Sequence, residues 1–213
     1  MNAHVRSIAP SAQGAAPARA RAMSCTVAIA HTLDDLLQAV AVRAAVYMTE
    51  QDCPYAEEFD GNDFAGATHL IARVDGEPAG CLRVRWFADF FKIERVAVLA
   101  RYRGCGVAVA LMQAAIHLGG RKGYRRLYGH VTPDLVDYWR RHLGTTPRPD
   151  RPTFQFSDID YVEVELKLQP PLDALHMDSD PMVLLRPEGE WDRPGVLERP
   201  AAEFTGEQVR RMG

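Results

Sequence analysis

The spacing of apolar positions changes several times along the chain, and each change marks a new element. Residues 25–30 (CTVAIA) form a short apolar run of strand length. From Leu33 the period turns helical. Leu33, Leu36, Leu37, Val40, Ala44 and Tyr47 share one face, Thr32 is placed to cap it, and the pattern predicts a helix ending near Met48. Glu50 to Gly66 holds Pro54, Gly61 and many acids, and reads as a loop with one short helical turn. His69–Val74 and Ala79–Arg85 are apolar runs around Asp75-Gly76-Glu77-Pro78, a hairpin signal. Phe90–Leu99 is a further strand. Val107, Leu111, Ala114, Ala115 and Leu118 then mark a helix that begins at or near Gly104, with Gly119-Gly120 as its stop. Residues 125–131 read as a strand, and Asp134–His142 as a short helix behind Pro133. Tyr161–Leu168 (YVEVELKL) alternates as a half-buried strand.

Composition shifts at both ends. Residues 1–22 are rich in Ala, with Arg6, Arg19 and Arg21, and lack a secretory apolar core. They read as a disordered leader upstream of a natural start at Met23, with a transit peptide as the alternative. From Pro170 to the end, six prolines interrupt any long element. Met182-Val183-Leu184-Leu185 is apolar enough for this tail to wrap partly on the domain. The division is therefore a leader over 1–22, a folded domain over 23–169 and a Pro-rich tail over 170–213.

A net charge of -3 supplies no global basic field for nucleic acid or an anionic membrane. No apolar run approaches the ~20 residues of a membrane span. Cys25, Cys53, Cys81 and Cys105 form no CxxC pair, so neither a metal ribbon nor a thioredoxin-like site is expected, and reduced thiols suggest the cytosol. The histidines show no metal spacing. His69, His117 and His130 read as core or edge residues.

The informative junction is Val96-Ala97-Val98-Leu99-Ala100-Arg101-Tyr102-Arg103-Gly104-Cys105-Gly106-Val107-Ala108. A strand ends, a basic loop turns, and a helix begins. Amides at a helix start carry partial positive charge toward an anion, and glycines let the backbone approach it. Arg101 and Arg103 add charge. A Walker loop would need Gly-Lys-Ser/Thr, and a Rossmann fingerprint a third small residue where Val109 stands.

This R-x-x-G-x-G junction and its element order closely resemble the GNAT superfamily of N-acyltransferases over roughly residues 25–168. The stretch Arg43–Asp63 (RAAVYMTEQDCPYAEEFDGND) is similar to a subgroup that writes "VF-x-x-EQ…PY-x-E-x-DG-x-D" there. The resemblance implies an α/β fold, with a mixed, mostly antiparallel central sheet splayed at its fourth and fifth strands and helices on both faces. It implies acetyl-CoA or another acyl-CoA as co-substrate. The pyrophosphate would lie on Arg101, Tyr102, Arg103, Gly104, Cys105, Gly106, Val107 and Ala108, and the pantetheine along the backbone of Val96, Ala97 and Val98. The acceptor would be a small-molecule or peptide amine, and a homodimer is left open.

Acyl transfer to an amine needs a base for the amine and benefits from an acid at the leaving thiolate. The family takes its base from the fourth strand, where Glu94 stands. Alternation would put Glu94 on one face with Val96 and Val98. The alternative is a Glu94 paired with Lys92 or Arg95. The family's acid is a Tyr in an "FY-x-x-x-GF"-like helix. Here Tyr138-Trp139-Arg140-Arg141-His142-Leu143-Gly144 departs from that pattern, and Tyr138 is the candidate, with aromatic packing as its other reading. Cys105 is a remote candidate nucleophile. The acids Glu50, Asp52, Glu57, Glu58, Asp60 and Asp63 would select a cationic amine or form a solvated loop. Two other functions remain: an acyl-CoA sensor without chemistry, and an acyl-carrier-protein-dependent enzyme like acyl-homoserine lactone synthases. The last would dock on Arg121, Lys122, Arg125, Arg126, Arg140 and Arg141.

Overall fold

The computed structural model describes residues 23–156 and 158–199. The leader reading over 1–22 lies outside them, as does the tail beyond residue 199. Strand β1 (Cys25–Ile29) leads to α1 (Leu33–Arg43), which is capped as its sequence signals: the Thr32 hydroxyl accepts from the Asp35 amide, and the Asp35 carboxylate accepts from the Thr32 amide. The helical path continues past α1 as a π-helical segment, Ala44–Glu50. A single turn, α2 (Tyr55–Glu58), sits in the acidic stretch. Strands β2 (Ala67–Val74) and β3 (Glu77–Trp86) form the hairpin, with Asp75 and Gly76 at positive φ in its turn. Then come β4 (Phe91–Val98), α3 (Val107–Arg121), β5 (Arg126–Val131), α4 (Val136–Leu143), β6 (Thr146–Pro147), β7 (Phe154–Phe156), β8 (Ile159–Lys167) and a last turn, α5 (Pro181–Leu184).

The strands form one sheet in the order β1-β2-β3-β4-β5-β8-β6, with β7 attached to β8. Only β4 and β5 run parallel; the other pairs are antiparallel. This is the mixed α/β sheet that the resemblance implied. One face packs Ala39, Val42 and Val46 against Ile71, Cys81 and Ala97. The other packs Val107, Leu111, Ala115 and Leu118 of α3 against Leu70, Leu82, Val84, Phe91 and Ile93, and Trp139 of α4 joins them.

Two local expectations change. Gly119 and Gly120 do not stop α3; both are buried inside it, and the left-handed turn falls at Gly123, φ 84°. A Cβ on Gly119 would come within 2.3 Å of the Phe91 ring, so close packing is what requires glycine there. In the tail, Val183 of the Met182–Leu185 run packs on the α3-side core while Leu184 and Leu185 stay exposed, and Trp191, which the sequence did not single out, is buried there as well. Arg121 binds Asp173 and Asp192 at 2.9 Å, and Lys122 binds Glu188, so the end of α3 is tied to the chain beyond β8.

Candidate active site

A gap in the sheet is the starting point. β4 and β5 pair through Phe91–Leu127, Lys92–Tyr128 and Ile93–Gly129, and there the pairing stops. Two residues later β4 carries a bulge. Arg95 has φ 54°, and the β3–β4 register slips between Cys81–Ala97 and Arg83–Glu94. The bulge bends β4 away from β5 and leaves the edge from Glu94 to Val98 unpaired. The Leu99 amide donates to the Ala79 carbonyl at 2.9 Å, toward β3, and Ala97, two residues earlier, turns the same way. Val96 and Val98 therefore point their backbone groups at the open edge. Both carbonyls are engaged: Val96 accepts from the Tyr47 hydroxyl at 2.9 Å, and Val98 from Arg103 Nε at 3.0 Å. By the same alternation their amides lie on the side away from β3. Ala97, expected along the same groove, is 2% exposed and faces β3, so it offers nothing to the open edge.

At the end of this edge lies the glycine loop. A 3-10 turn, Ala100–Tyr102, is followed by Gly104 at φ 77° and Gly106 at φ 80°, and α3 starts at Val107. A Cβ built on either glycine meets nothing within 4 Å. The amides of Gly104, Cys105 and Gly106 find no acceptor among the described residues, and the first-turn amides of α3, Val107 and Ala108 among them, lack helical partners by construction. An open cradle of amides at a helix start fits a phosphate group. The two arginines divide. Arg101 is exposed, with its guanidinium 4.9 Å from the Tyr102 ring centroid. Arg103 is instead bound to Glu50 and to the Val98 carbonyl. Cys105 is exposed.

The strand argument for Glu94 does not survive the bulge. An extra residue in β4 reverses the alternation, so Val96 and Val98 pack toward α3 while Glu94 stays on the α1 side with Arg83. There it binds Arg83 at 2.6 Å and Lys92 at 2.7 Å, its side chain only 8% exposed. Burial pushes its carboxyl up, but the charge and hydrogen bonds of Lys92 and Arg83 outweigh that and hold it below the usual carboxylate range. Tyr138 is half-buried on α4, its ring 5.1 Å from Trp139 and 4.4 Å from His142. Its hydroxyl has no partner among the described residues.

The acidic loop turns largely inward. Arg43, Arg83 and Arg95 collect Glu58, Asp60 and Asp63: Arg43–Glu58 2.6 Å, Arg43–Asp63 2.5 Å, Arg83–Asp60 2.7 Å, Arg83–Asp63 2.8 Å, Arg95–Glu58 3.0 Å. Arg43 and Arg83 are fully buried, which explains why the loop needs so many acids. Asp52 and Glu57 instead line a cavity of roughly 270 Å³ with Pro54, Gln155 and Asp158. His130 stands one residue beyond the last β4–β5 pair. Its Nε2 lies 2.6 Å from the Tyr128 hydroxyl, and burial together with Lys92 lowers it to about 4, so it is neutral at pH 7. Sequence reasoning missed Tyr47, which was counted only as an apolar-face residue; the signal was a hydroxyl where the subgroup pattern writes Phe.

The model of the acetyltransferase (GNAT) family matches residues 20–145. The chain belongs to the GNAT family. This GNAT protein is 35% identical to BSU40680 of Bacillus subtilis (strain 168) over 109 residues, covering 50% of this chain and 74% of that one. It is 30% identical to the uncharacterized N-acetyltransferase YjcF of the same organism over 115 residues, covering 54% and 81%. An acyl-CoA N-acyltransferase from Pseudomonas aeruginosa superposes with a TM-score of 0.59 at 27% identity, covering 67% of this chain and 98% of that structure. Family members use acetyl-CoA or another acyl-CoA as co-substrate. Among the described residues no helix is long and apolar enough to cross a membrane, and no cluster of His, Cys, Asp or Glu is arranged to hold a metal.

Proposed function

We propose that this GNAT protein transfers an acetyl or longer acyl group from acyl-CoA to a primary amine, by direct attack of the amine in a ternary complex. The observation that carries the reading is the open edge of β4 running into the glycine cradle. It provides the Val96 and Val98 amides on the side away from β3, then Gly104 and Gly106 at positive φ with free space above them. Backbone donors suit the amide and thioester oxygens of a pantetheine arm, and the cradle with Arg101 suits its pyrophosphate. The bound thioester supplies an activated acyl carbon. The amine nitrogen bonds to that carbon, the carbon–sulfur bond breaks, and the sulfur takes up the proton that the nitrogen loses. Tyr138 is the proposed donor to sulfur. Glu94, held by Arg83 and Lys92, is better placed to fix the sheet than to take a proton directly, and water carries the amine proton. The acidic side chains of Asp52, Glu57 and Asp158 around one cavity would suit a cationic amine as acceptor.

A donor carried on acyl carrier protein would need a basic docking face. Of the six expected there, Arg121, Lys122, Arg126 and Arg140 are paired with acids of this chain and Arg141 donates to the Asp137 carbonyl, leaving Arg125 exposed, which favours CoA. An acyl-CoA sensor is the second reading, favoured by the pairing of Glu94. One experiment separates the two: thermal shift with CoA and acyl-CoAs, then thiol release against an amine panel. Binding at 100 times the dissociation constant stabilises the fold by about 2.7 kcal/mol. No shift with any of them overturns the CoA reading. A shift without turnover of any amine establishes the sensor. For the enzyme, Tyr138→Phe lowers kcat while CoA affinity stays near wild type; unchanged kcat removes Tyr138 from the chemistry.

A further inference from the structure

The open edge of β4 is clamped at one residue, Val96, from both sides. Before it, Arg95 sits at φ 54° with its guanidinium tied to the Glu57 carbonyl at 2.6 Å and to the Glu58 carboxylate at 3.0 Å. After it, the Val96 carbonyl accepts from the Tyr47 hydroxyl at 2.9 Å. Tyr47 reaches there from the π-helical segment Ala44–Glu50, whose extra residue per turn changes which side chains face the sheet. The same segment sends Glu50 to Arg103, whose Nε caps the Val98 carbonyl. So both acceptors of the open edge are filled through this segment, and the edge presents only N–H donors. Burial pushes the Tyr47 phenol well above its usual range, so it stays protonated and keeps donating at any physiological pH.

We propose that Tyr47 is a positioning residue of the acyl-transfer site: by holding the Val96 carbonyl it restrains the backbone at the open end of β4, where the Val96 N–H receives the thioester carbonyl oxygen. Two features support this beyond the hydrogen bond itself. Tyr47 packs with the α1-side cluster, so its hydroxyl reaches the Val96 carbonyl on a side chain that is already fixed. And Val96 is the first residue past the bulge, where β5 has separated and no strand partner fixes the peptide. A ligand carbonyl adds an acceptor to an edge that has donors to spare. A free thiol has no such oxygen, so the clamp distinguishes acylated from free CoA.

The inference rests on the acyl-CoA reading above, and its test separates the two failures. Dissociation constants for acetyl-CoA and CoA are measured by calorimetry on the wild type and on Tyr47→Phe, with the melting temperature of each. The wild type binds acetyl-CoA more tightly than CoA. Tyr47→Phe loses about tenfold of that preference, the worth of one hydrogen bond, with CoA affinity kept within about twofold. Where turnover is measurable, kcat falls and KM holds. If neither ligand binds the wild type, the acyl-CoA reading fails and this inference with it. If both bind and Tyr47→Phe keeps the full preference for acetyl-CoA, Tyr47 only packs and the inference alone is overturned. Should Tyr47→Phe fail to fold, Tyr47→Met removes the hydroxyl on a more adaptable side chain and should lose the same preference; Glu50→Gln, which releases Arg103 from the same segment, should leave it intact. Loss of the preference in Glu50→Gln would show that the segment as a whole, not the Tyr47 hydroxyl, sets it.

Discussion

Glu94 and Val96 lie two residues apart in β4 and face opposite sides of the sheet. Regular alternation would put them on one side; the Arg95 bulge between them adds a residue and reverses the phase. Glu94 thereby joins Arg83, Asp60 and Asp63 in a buried ion cluster, and Val96 is left on the open edge.

Glu94→Gln therefore acts first on stability. It removes one of three carboxylates around a fully buried guanidinium and leaves Arg83 with Asp60 and Asp63. A cost of about 1–3 kcal/mol is expected, the range for a buried charged hydrogen bond. Urea unfolding checks it. A drop in kcat with an unchanged unfolding midpoint would return Glu94 to the role of base.

The cluster also sets the response to acid. Burial pushes Asp60, Asp63 and Glu94 up, but their arginine and lysine partners outweigh it, so all three have lowered carboxyl pKa values in the fold. A lowered folded value stabilises above the unfolded carboxylate pKa of about 4 and is lost as pH falls below it. Glu58 is raised, chiefly by burial, and works in the opposite sense. Three groups outnumber one, so the urea midpoint should fall steeply below about pH 4, and Asp60→Asn should flatten that fall. A midpoint constant from pH 6 to pH 3 contradicts the account.

Gly106→Val tests the cradle. A side chain at φ 80° strains the backbone by about 1–2 kcal/mol, and the space it enters is empty of protein. The fold should survive with a lower melting temperature, and CoA should no longer shift it. A folded variant with wild-type CoA affinity places the pyrophosphate elsewhere.

Much of this was readable in the sequence because it depends on local pattern. The Thr32 cap, the Asp75-Gly76 turn and the alternation from Tyr161 to Leu168 need only neighbours to be interpreted. So does the R-x-x-G-x-G junction, whose glycines adopt the left-handed conformation that makes them necessary. What the sequence hid depends on partners far along the chain. Arg95 carries no mark of a bulge; its positive φ is held by carbonyls and carboxylates of residues 57–60. Arg103 looks like a phosphate ligand until Glu50, on a π-helical segment that no periodicity announces, claims it. Acidic residues at Glu58, Asp60 and Asp63 look solvated until two arginines from other elements are buried among them.

Gly119 and Gly120 give the clearest contrast between a glycine that packing requires and one that it does not. Both lie in α3, where glycine is unfavourable by roughly 0.5–1 kcal/mol relative to alanine. A Cβ on Gly119 would meet Phe91 Cε1 at 2.3 Å and Cζ at 2.4 Å, and Phe91 is itself fully buried, so neither ring nor helix can yield cheaply. A Cβ on Gly120 meets only Pro171 Cδ, at an ordinary 3.6 Å. Gly119→Ala should therefore destabilise by about 1–3 kcal/mol, the cost of overpacking a core. Gly120→Ala should be neutral or stabilising by up to about 1 kcal/mol, because it gains helix propensity without a clash. Phe91 also begins the β4–β5 pairing opposite Leu127, so displacement of its ring should loosen the fork, and Gly119→Ala should weaken CoA binding whereas Gly120→Ala should not. Parallel denaturation and CoA titrations of the two variants decide the matter. Equal stabilities would mean that α3 sits farther from β4 than 2.3 Å implies, and the reading of Gly119 as a close-packing residue would fall.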